Sequence, residues 1–215
     1  MPNHHLLNPL IKIGQLAAEN NRAFYATGYA LMFAGFALVV SFVVLLIIDL
    51  HQSRRANQPV EKSLPVQAFG QGSQHNFDWY FEGQSRVDVS SIDDICAWLR
   101  ECDYIHDRVL FMKQDFWQHP LTFEQLRKGD CEDHALWAWR KLKEVGVSAQ
   151  FIVGHTQPAG YHAWVVFRLG DGHYLLETTN KSGLMIYPLV QTKRYYKPEV
   201  GIDHQLRMYR YSRKS

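Results

Sequence analysis

The sequence predicts an α+β domain, one amphipathic helix packed on an antiparallel sheet, preceded by a single membrane-spanning helix. Three observations predict it. Residues 130–146 carry a helical stripe bounded by start and stop signals. After Gly146 the pattern changes from a period of 3.6 residues to strand-like alternation. Residues 29–50 form an apolar run with no charge until Asp49.

The 215 residues allow one domain of ordinary size plus extras, and 47% hydrophobic with 20% charged residues is globular composition. A formal net charge of +2 gives no strong preference for nucleic acid, so none is expected as a partner. Three cysteines cannot all pair within one chain, which excludes a disulfide framework. Cys96 and Cys102 lie six apart on an expected helix, roughly 240° round its axis from each other, and read as packing residues.

Four regions follow in order. Residues 1–28 are a short mixed segment in which Leu6, Leu7, Leu10, Ile11 and Ile13 suit a membrane surface. Residues 29–50 are long enough to cross a hydrocarbon core of roughly 30 Å, so a retained single-pass anchor is expected. Lys12 and Arg22 before it against Arg54, Arg55 and Lys62 after it lean slightly towards a cytoplasmic C-terminal part. Residues 51–74, polar and broken by Pro59, Pro65, Gly70 and Gly72, read as a tether with a short packed piece around Val66 to Phe69. The globular domain is expected over 75–215.

Within that domain Ser90 or Ser91 caps a helix reaching about Cys102, with Ile92, Ile95, Cys96 and Leu99 as its apolar stripe. Residues 107–112 suggest a strand, and Thr122 caps a short helix over 123–127. Next comes the central helix. Asp130 is its N-cap, Glu132 and Asp133 complement its first turn, Lys141 and Lys143 its last, and Gly146 stops it. Cys131, Ala135, Ala138, Trp139, Leu142 and Val145 form the buried stripe, while Arg140, Lys141, Lys143 and Glu144 face away. The Cys131 thiol thus begins the buried face at a helix start, where unpaired N–H groups favour a thiolate and can meet an oxyanion. The neighbouring acids oppose thiolate formation, so a cationic partner is needed.

Strands are expected over 149–154, 161–168 and 173–178, the last two joined by the turn 169–172. Side chains alternate, so His162, Trp164 and Val166 share a face. A four-residue turn places Glu177 opposite Trp164 and diagonal to His162, about 7 to 8 Å between backbone positions. A thiolate needs an imidazolium, and the imidazole needs an acceptor that fixes its tautomer; Cys131, His162 and Glu177 supply these types. Further strands are expected over 184–189 and 205–211, separated by a basic aromatic run at 193–197 that reads as a solvated edge.

The order Gly129-Asp130-Cys131-Glu132-Asp133-His134-Ala135, then His162-Ala163-Trp164, then Leu175-Leu176-Glu177-Thr178 resembles the transglutaminase-like (papain-like) superfamily. It is most similar to the bacterial transglutaminase-like cysteine peptidases, over about residues 90–180. That resemblance implies a thiol protease or related hydrolase with a catalytic triad. Cys131 would be the nucleophile, His162 the general base and acid, and Glu177 would take the place usually held by Asp. It implies acyl transfer through a thioester, with the helix-start N–H groups and a donor from Trp117 or Gln118 holding the oxyanion. Release to water gives a peptidase or amidase and release to an amine a transglutaminase, on a protein or peptide substrate near the membrane. The alternative is a membrane-tethered, non-catalytic module that keeps the fold. Some members of the group bind calcium through acids near the nucleophile, as Asp130, Glu132 and Asp133 could. Capping by these residues is the preferred reading, so no metal or cofactor is expected. His134 is placed on the helix flank in solvent, or where it helps tune the thiol.

Overall fold

The structure is a computed structural model, and it describes residue 32 and residues 35–48, 59–157 and 160–211. The chain divides into two compact units, residues 1–56 and 57–215. In the first unit residues 35–48 are helical and exposed. Among the described residues no helix is long and apolar enough to cross a membrane, which overturns the expected transmembrane helix and single-pass localisation. The N-terminal segment 1–28, the ends of the 29–50 run and residues 51–58 of the tether lie outside the described residues.

The second unit is α+β. Its strands are β1 (Val60–Glu61), β2 (Asp103–Tyr104), β3 (Lys128–Gly129), β4 (Ala149–Thr156), β5 (Gly160–Leu169), β6 (Gly172–Leu176), β7 (Ile186–Pro188), β8 (Tyr196–Asp203) and β9 (Met208–Arg210). Its helices are α1 (Ile92–Arg100), α2 (Asp107–Leu110), α3 (Pro120–Leu126), α4 (Cys131–Glu144) and α5 (Leu189–Thr192). Seven strands form one sheet in the order β1-β9-β8-β4-β5-β6-β7, every neighbouring pair antiparallel. β2 and β3 form a separate parallel pair.

Helix α4 packs on β4 and β5. Alternation sends Phe151 and Val153 of β4, with Ala163, Val165 and Phe167 of β5, into the core that holds Ala135, Trp139 and Leu142. Ile152, Trp164 and Leu175 emerge on the opposite face, where Val166, Tyr187, Leu189, Tyr196 and Tyr211 cover them. Residues 59–74 belong to this unit: β1 pairs with β9, and Phe69 is fully buried against Phe77 and Phe151.

Several local readings change. Ser91 caps α1 by accepting the Asp94 N–H at 3.1 Å, but residues 107–112 form helix α2 rather than a strand. The short helix before α4 starts at Pro120 behind a His119 cap, because proline at the first helical position loses no hydrogen bond. Strand β8 takes in the end of the basic aromatic run, where residues 193–195 and 197 are exposed, in keeping with a solvated edge, and Tyr196 is half-buried.

Helix α4 is buried all round from Glu132 to Leu142, including the two cations read as outward-facing. Arg140 donates to the carbonyls of Tyr80, Glu82 and Gly83 at 3.3, 2.7 and 2.6 Å. The Lys141 ammonium donates to Ser85 Oγ, to the Val87 carbonyl at 2.5 Å and to Glu144 at 2.8 Å, and lies 3.5 Å from Glu124. Glu124 also accepts the Trp137 indole N–H at 3.0 Å. Residues 80–87 thus close over α4 as a strap, and their backbone carbonyls replace the water that the two cations give up.

Candidate active site

Cys131 is the first residue of α4, immediately after β3 and the Asp130 cap, and it is half-buried. His162 is the third residue of β5, and Glu177 follows the end of β6. The Arg168↔His173 register of the β5–β6 hairpin carries Glu177 opposite Trp164, one diagonal from His162. His162 Nε2 lies 2.9 Å from Oε2 and 3.1 Å from Oε1 of Glu177. With Nε2 committed to the carboxylate, Nδ1 is the ring nitrogen left towards Cys131, whose charge acts on the ring, while the thiol itself donates to Glu132 Oε2 at 3.3 Å. The structure therefore brings the three residues together, with the histidine in the middle.

The electrostatics of the pair are one-sided. Burial pushes the His162 imidazolium down, but its hydrogen bonds to Cys131 and Glu177 outweigh this and raise it to about 10. Burial pushes the Glu177 carboxyl up, yet His162, Thr179 and Tyr196 hold it down at about 2. Thr179 donates to Oε1 from its N–H at 3.0 Å and from its hydroxyl at 2.6 Å, and the Tyr196 hydroxyl donates to Oε2 at 2.7 Å. An ionised carboxylate with every oxygen occupied fixes the ring's orientation. Asn180 instead closes its own turn, its side chain donating to the Leu184 carbonyl at 2.9 Å.

The side-chain donors of both expected oxyanion residues are engaged. The Trp117 indole N–H goes to Asp115 at 2.9 Å. Gln118 gives its backbone N–H to Asp133 at 2.8 Å and its side-chain amide to Asp133 at 2.5 Å and to the Lys128 carbonyl at 3.0 Å. Both are buried, and Gln118 supports Asp133, one of the acids around Cys131. The first N–H groups of α4 lie beside Cys131 and are of the kind that can meet an oxyanion.

Those acids do more than cap. Glu132 and Asp133 are 6% and 1% exposed, and α2 brings in Asp107, buried and 23 residues upstream of the Asp130 cap whose carboxylate its N–H meets at 3.4 Å. One carboxylate oxygen from each of Asp107, Asp130, Glu132 and Asp133 lies within 4.8 Å of the others. Asp107 Oδ1, Asp130 Oδ1 and Glu132 Oε1 are buried with no hydrogen-bond partner among the described residues. Burial and the neighbouring Asp130 charge push Asp107 up to about 7, and burial raises Glu132 and Asp133 strongly as well. Uncompensated buried carboxylates at this spacing fit a hard divalent cation with oxygen ligands. The expectation that capping alone explains them, with no metal, is corrected accordingly. His134 is also not in solvent: it is fully buried, its Nδ1 lies 2.7 Å from the Asp130 carbonyl, and burial lowers its imidazolium to about 3.

Sequence reasoning missed Tyr196, Thr179 and Asp107. Thr179 is two residues from Glu177 and within local reach, whereas Tyr196 and Asp107 arrive from distant elements that no local pattern marks.

Residues 115–205, a stretch shorter than half the chain, match the family model of the CEP76 peptidase-like domain. The matched segment holds Cys131, His162, Glu177 and Tyr196. Among curated proteins none matches. Legionella pneumophila LapG is similar in structure. Its EGTA-treated form has 17% identity and a TM-score of 0.47, covering 70% of this chain and 86% of that one. Its calcium-bound form has 17% identity and a TM-score of 0.45, covering 70% and 90%. LapG has thus been solved with calcium. A cysteine protease candidate from Cytophaga hutchinsonii has 16% identity and a TM-score of 0.34, covering 53% of this chain and 39% of that one. The chain is similar to cysteine peptidases of the transglutaminase-like fold.

Proposed function

We propose that this chain is a cysteine peptidase acting on a protein or peptide amide, with Cys131 as nucleophile, His162 as general base and acid, and Glu177 as the residue that orients His162. The observation that carries the reading is the His162–Glu177 contact of 2.9 Å, with the charge of Cys131, at a helix start, acting on the same imidazole. These are three different elements meeting at one point.

The steps follow from what each group holds. The imidazole takes the thiol proton, the thiolate attacks the amide carbonyl, and the oxyanion forms against the first N–H groups of α4. The imidazolium then gives that proton to the leaving amine as the C–N bond breaks, leaving a thioester. Water, deprotonated by His162, attacks the thioester and frees the acid and the thiol. Glu177 keeps the ring in register throughout and does not itself exchange a proton.

Asp107, Asp130, Glu132 and Asp133 would hold a calcium ion. When bound there it would supply positive charge that offsets the four carboxylates flanking the nucleophile. The four residues span the β3–α4 junction and α2, so their mutual placement also fixes the backbone on which Cys131 stands.

The test is to incubate the full chain with a mixture of polypeptides, plus a fluorescent primary amine, and to identify new peptide termini by mass spectrometry. New termini that vanish in Cys131→Ala and His162→Ala support the peptidase reading. Incorporation of the amine without cleavage would move the reading to a transglutaminase. No covalent change in either arm would leave the non-catalytic module as the better account.

A further inference from the structure

Glu177 stands where a cysteine peptidase of this type usually carries Asp, and the extra methylene adds both length and a rotatable bond. A longer side chain must be held or its carboxylate wanders away from the imidazole. His162 alone does not fix it, because the ring's Nε2 meets both oxygens, at 2.9 and 3.1 Å. The hold comes from elsewhere. Thr179 takes Oε1, and the hydroxyl of Tyr196 takes Oε2 at 2.7 Å.

Tyr196 begins β8, which is separated from β6 in the sheet by β4 and β5. Two features of β4 let it reach across. Gly154 lies opposite His162 on one side and Pro198 on the other, with a register shift between Val153 and Gly154. A Cβ at Gly154 would stand 2.2 Å from the Lys197 carbonyl oxygen and 2.9 Å from Pro198 Cα, so only glycine allows β8 to come this close. Glycine also leaves the sheet face clear between Tyr196 and His162. The Tyr196 ring is then steadied edge-on against Trp164, with centroids 5.3 Å apart.

We propose that Tyr196 is a positioning residue for the reaction, its hydroxyl locking the longer Glu177 side chain against His162. The inference rests on the peptidase reading of Cys131 and His162. It makes the site a four-strand construction in which β8 supplies a part that lies outside the three sequence motifs 129–135, 162–164 and 175–178. Tyr196 also forms part of the wall of a cavity of about 910 Å³ on the face of the sheet away from α4, so the lock is built from that side.

The experiment is a double-mutant cycle on the full chain: wild type, Tyr196→Phe, Glu177→Gln and both together. The readouts are the rate of Cys131 alkylation by iodoacetamide at neutral pH, read by intact mass, and the ¹⁵N signals of the His162 ring. Tyr196→Phe keeps the ring packing and removes only the hydroxyl. It should slow alkylation about tenfold, shift the Nε2 signal, and have no further effect in the Glu177→Gln background. An unchanged rate and ring signal, or an equal loss in both backgrounds, overturns the proposal. Glu177→Asp is the second variant: it restores the usual residue, yet it withdraws the carboxylate from Tyr196 and should also be slower than wild type. An Asp variant as fast as wild type overturns the lock. His162→Ala separates the two layers, since an unchanged alkylation rate there removes the pair itself and the role of Tyr196 with it.

Discussion

His162 Nε2 and Glu177 Oε2 meet at 2.9 Å in a site where both side chains are about nine-tenths buried. The contact gives the pair a defined signature in stability against pH. His162 is raised to about 10, so its contribution is complete below the ordinary histidine value of about 6.5 and is lost as pH rises through 10. Glu177 is lowered to about 2, so its contribution is complete above about 4.5 and is lost as pH falls through 2. The difference in unfolding midpoint between wild type and Glu177→Gln should therefore be greatest between about pH 4.5 and 6.5. It should narrow on both sides. A difference that is flat across pH would mean that the pair is not ionised as described.

Removing the base should cost far more than removing a support. His162→Ala is expected to lower the rate of product formation by about 100-fold or more, the range for loss of a general acid–base. The melting temperature should move much less than the rate. A variant with near-normal turnover would exclude His162 from proton transfer.

The acidic cluster predicts a metal-dependent stability. Calcium at about 100 times its dissociation constant should stabilise the fold by roughly 2.7 kcal/mol, and chelation should reverse the gain. The combined Asp107→Asn and Glu132→Gln variant should show no response, since it removes two of the four ligands. Thermal melts with and without calcium decide this, and identical wild-type curves would deny the site.

The strap over α4 predicts a structural lesion away from the chemistry. Lys141 is fully buried and ion-paired with Glu124 and Glu144, so Lys141→Ala leaves the buried Glu124 carboxylate without its cation, held only by Ser85, the Arg86 N–H and the Trp137 indole. A loss of about 3 to 5 kcal/mol in denaturant unfolding is expected. A loss below about 1 kcal/mol would show the strap to be incidental.

The parts of this site that were legible in sequence are those that local chemistry specifies. Asp130, the acids after it and Gly146 bound α4, and a hairpin register follows from alternation and turn length, which brings Glu177 to His162. What stayed hidden depends on distant partners. Arg140 and Lys141 look solvated along the helix axis because residues 80–87, which bury them, are some 55 to 60 positions away. Strand β8 carries Pro198 and Gly201, both poor strand formers, and its Tyr196 sits in a basic run that reads as exposed edge. Asp107 fell in a presumed strand, so its place beside Asp130 could not be seen. The apolar 29–50 run illustrates the opposite error: composition alone predicted a membrane span, and among the described residues no helix is long and apolar enough to cross one.

The three sulfurs are not equivalent, and that makes the molecule self-counting. Burial raises the Cys96 and Cys102 thiols to about 11, whereas Cys131 lies half-exposed at its helix start. At neutral pH a thiol reagent should therefore add once per folded chain. The stoichiometry of that single addition is an active-site titration, giving the concentration of competent molecules before any substrate has been found.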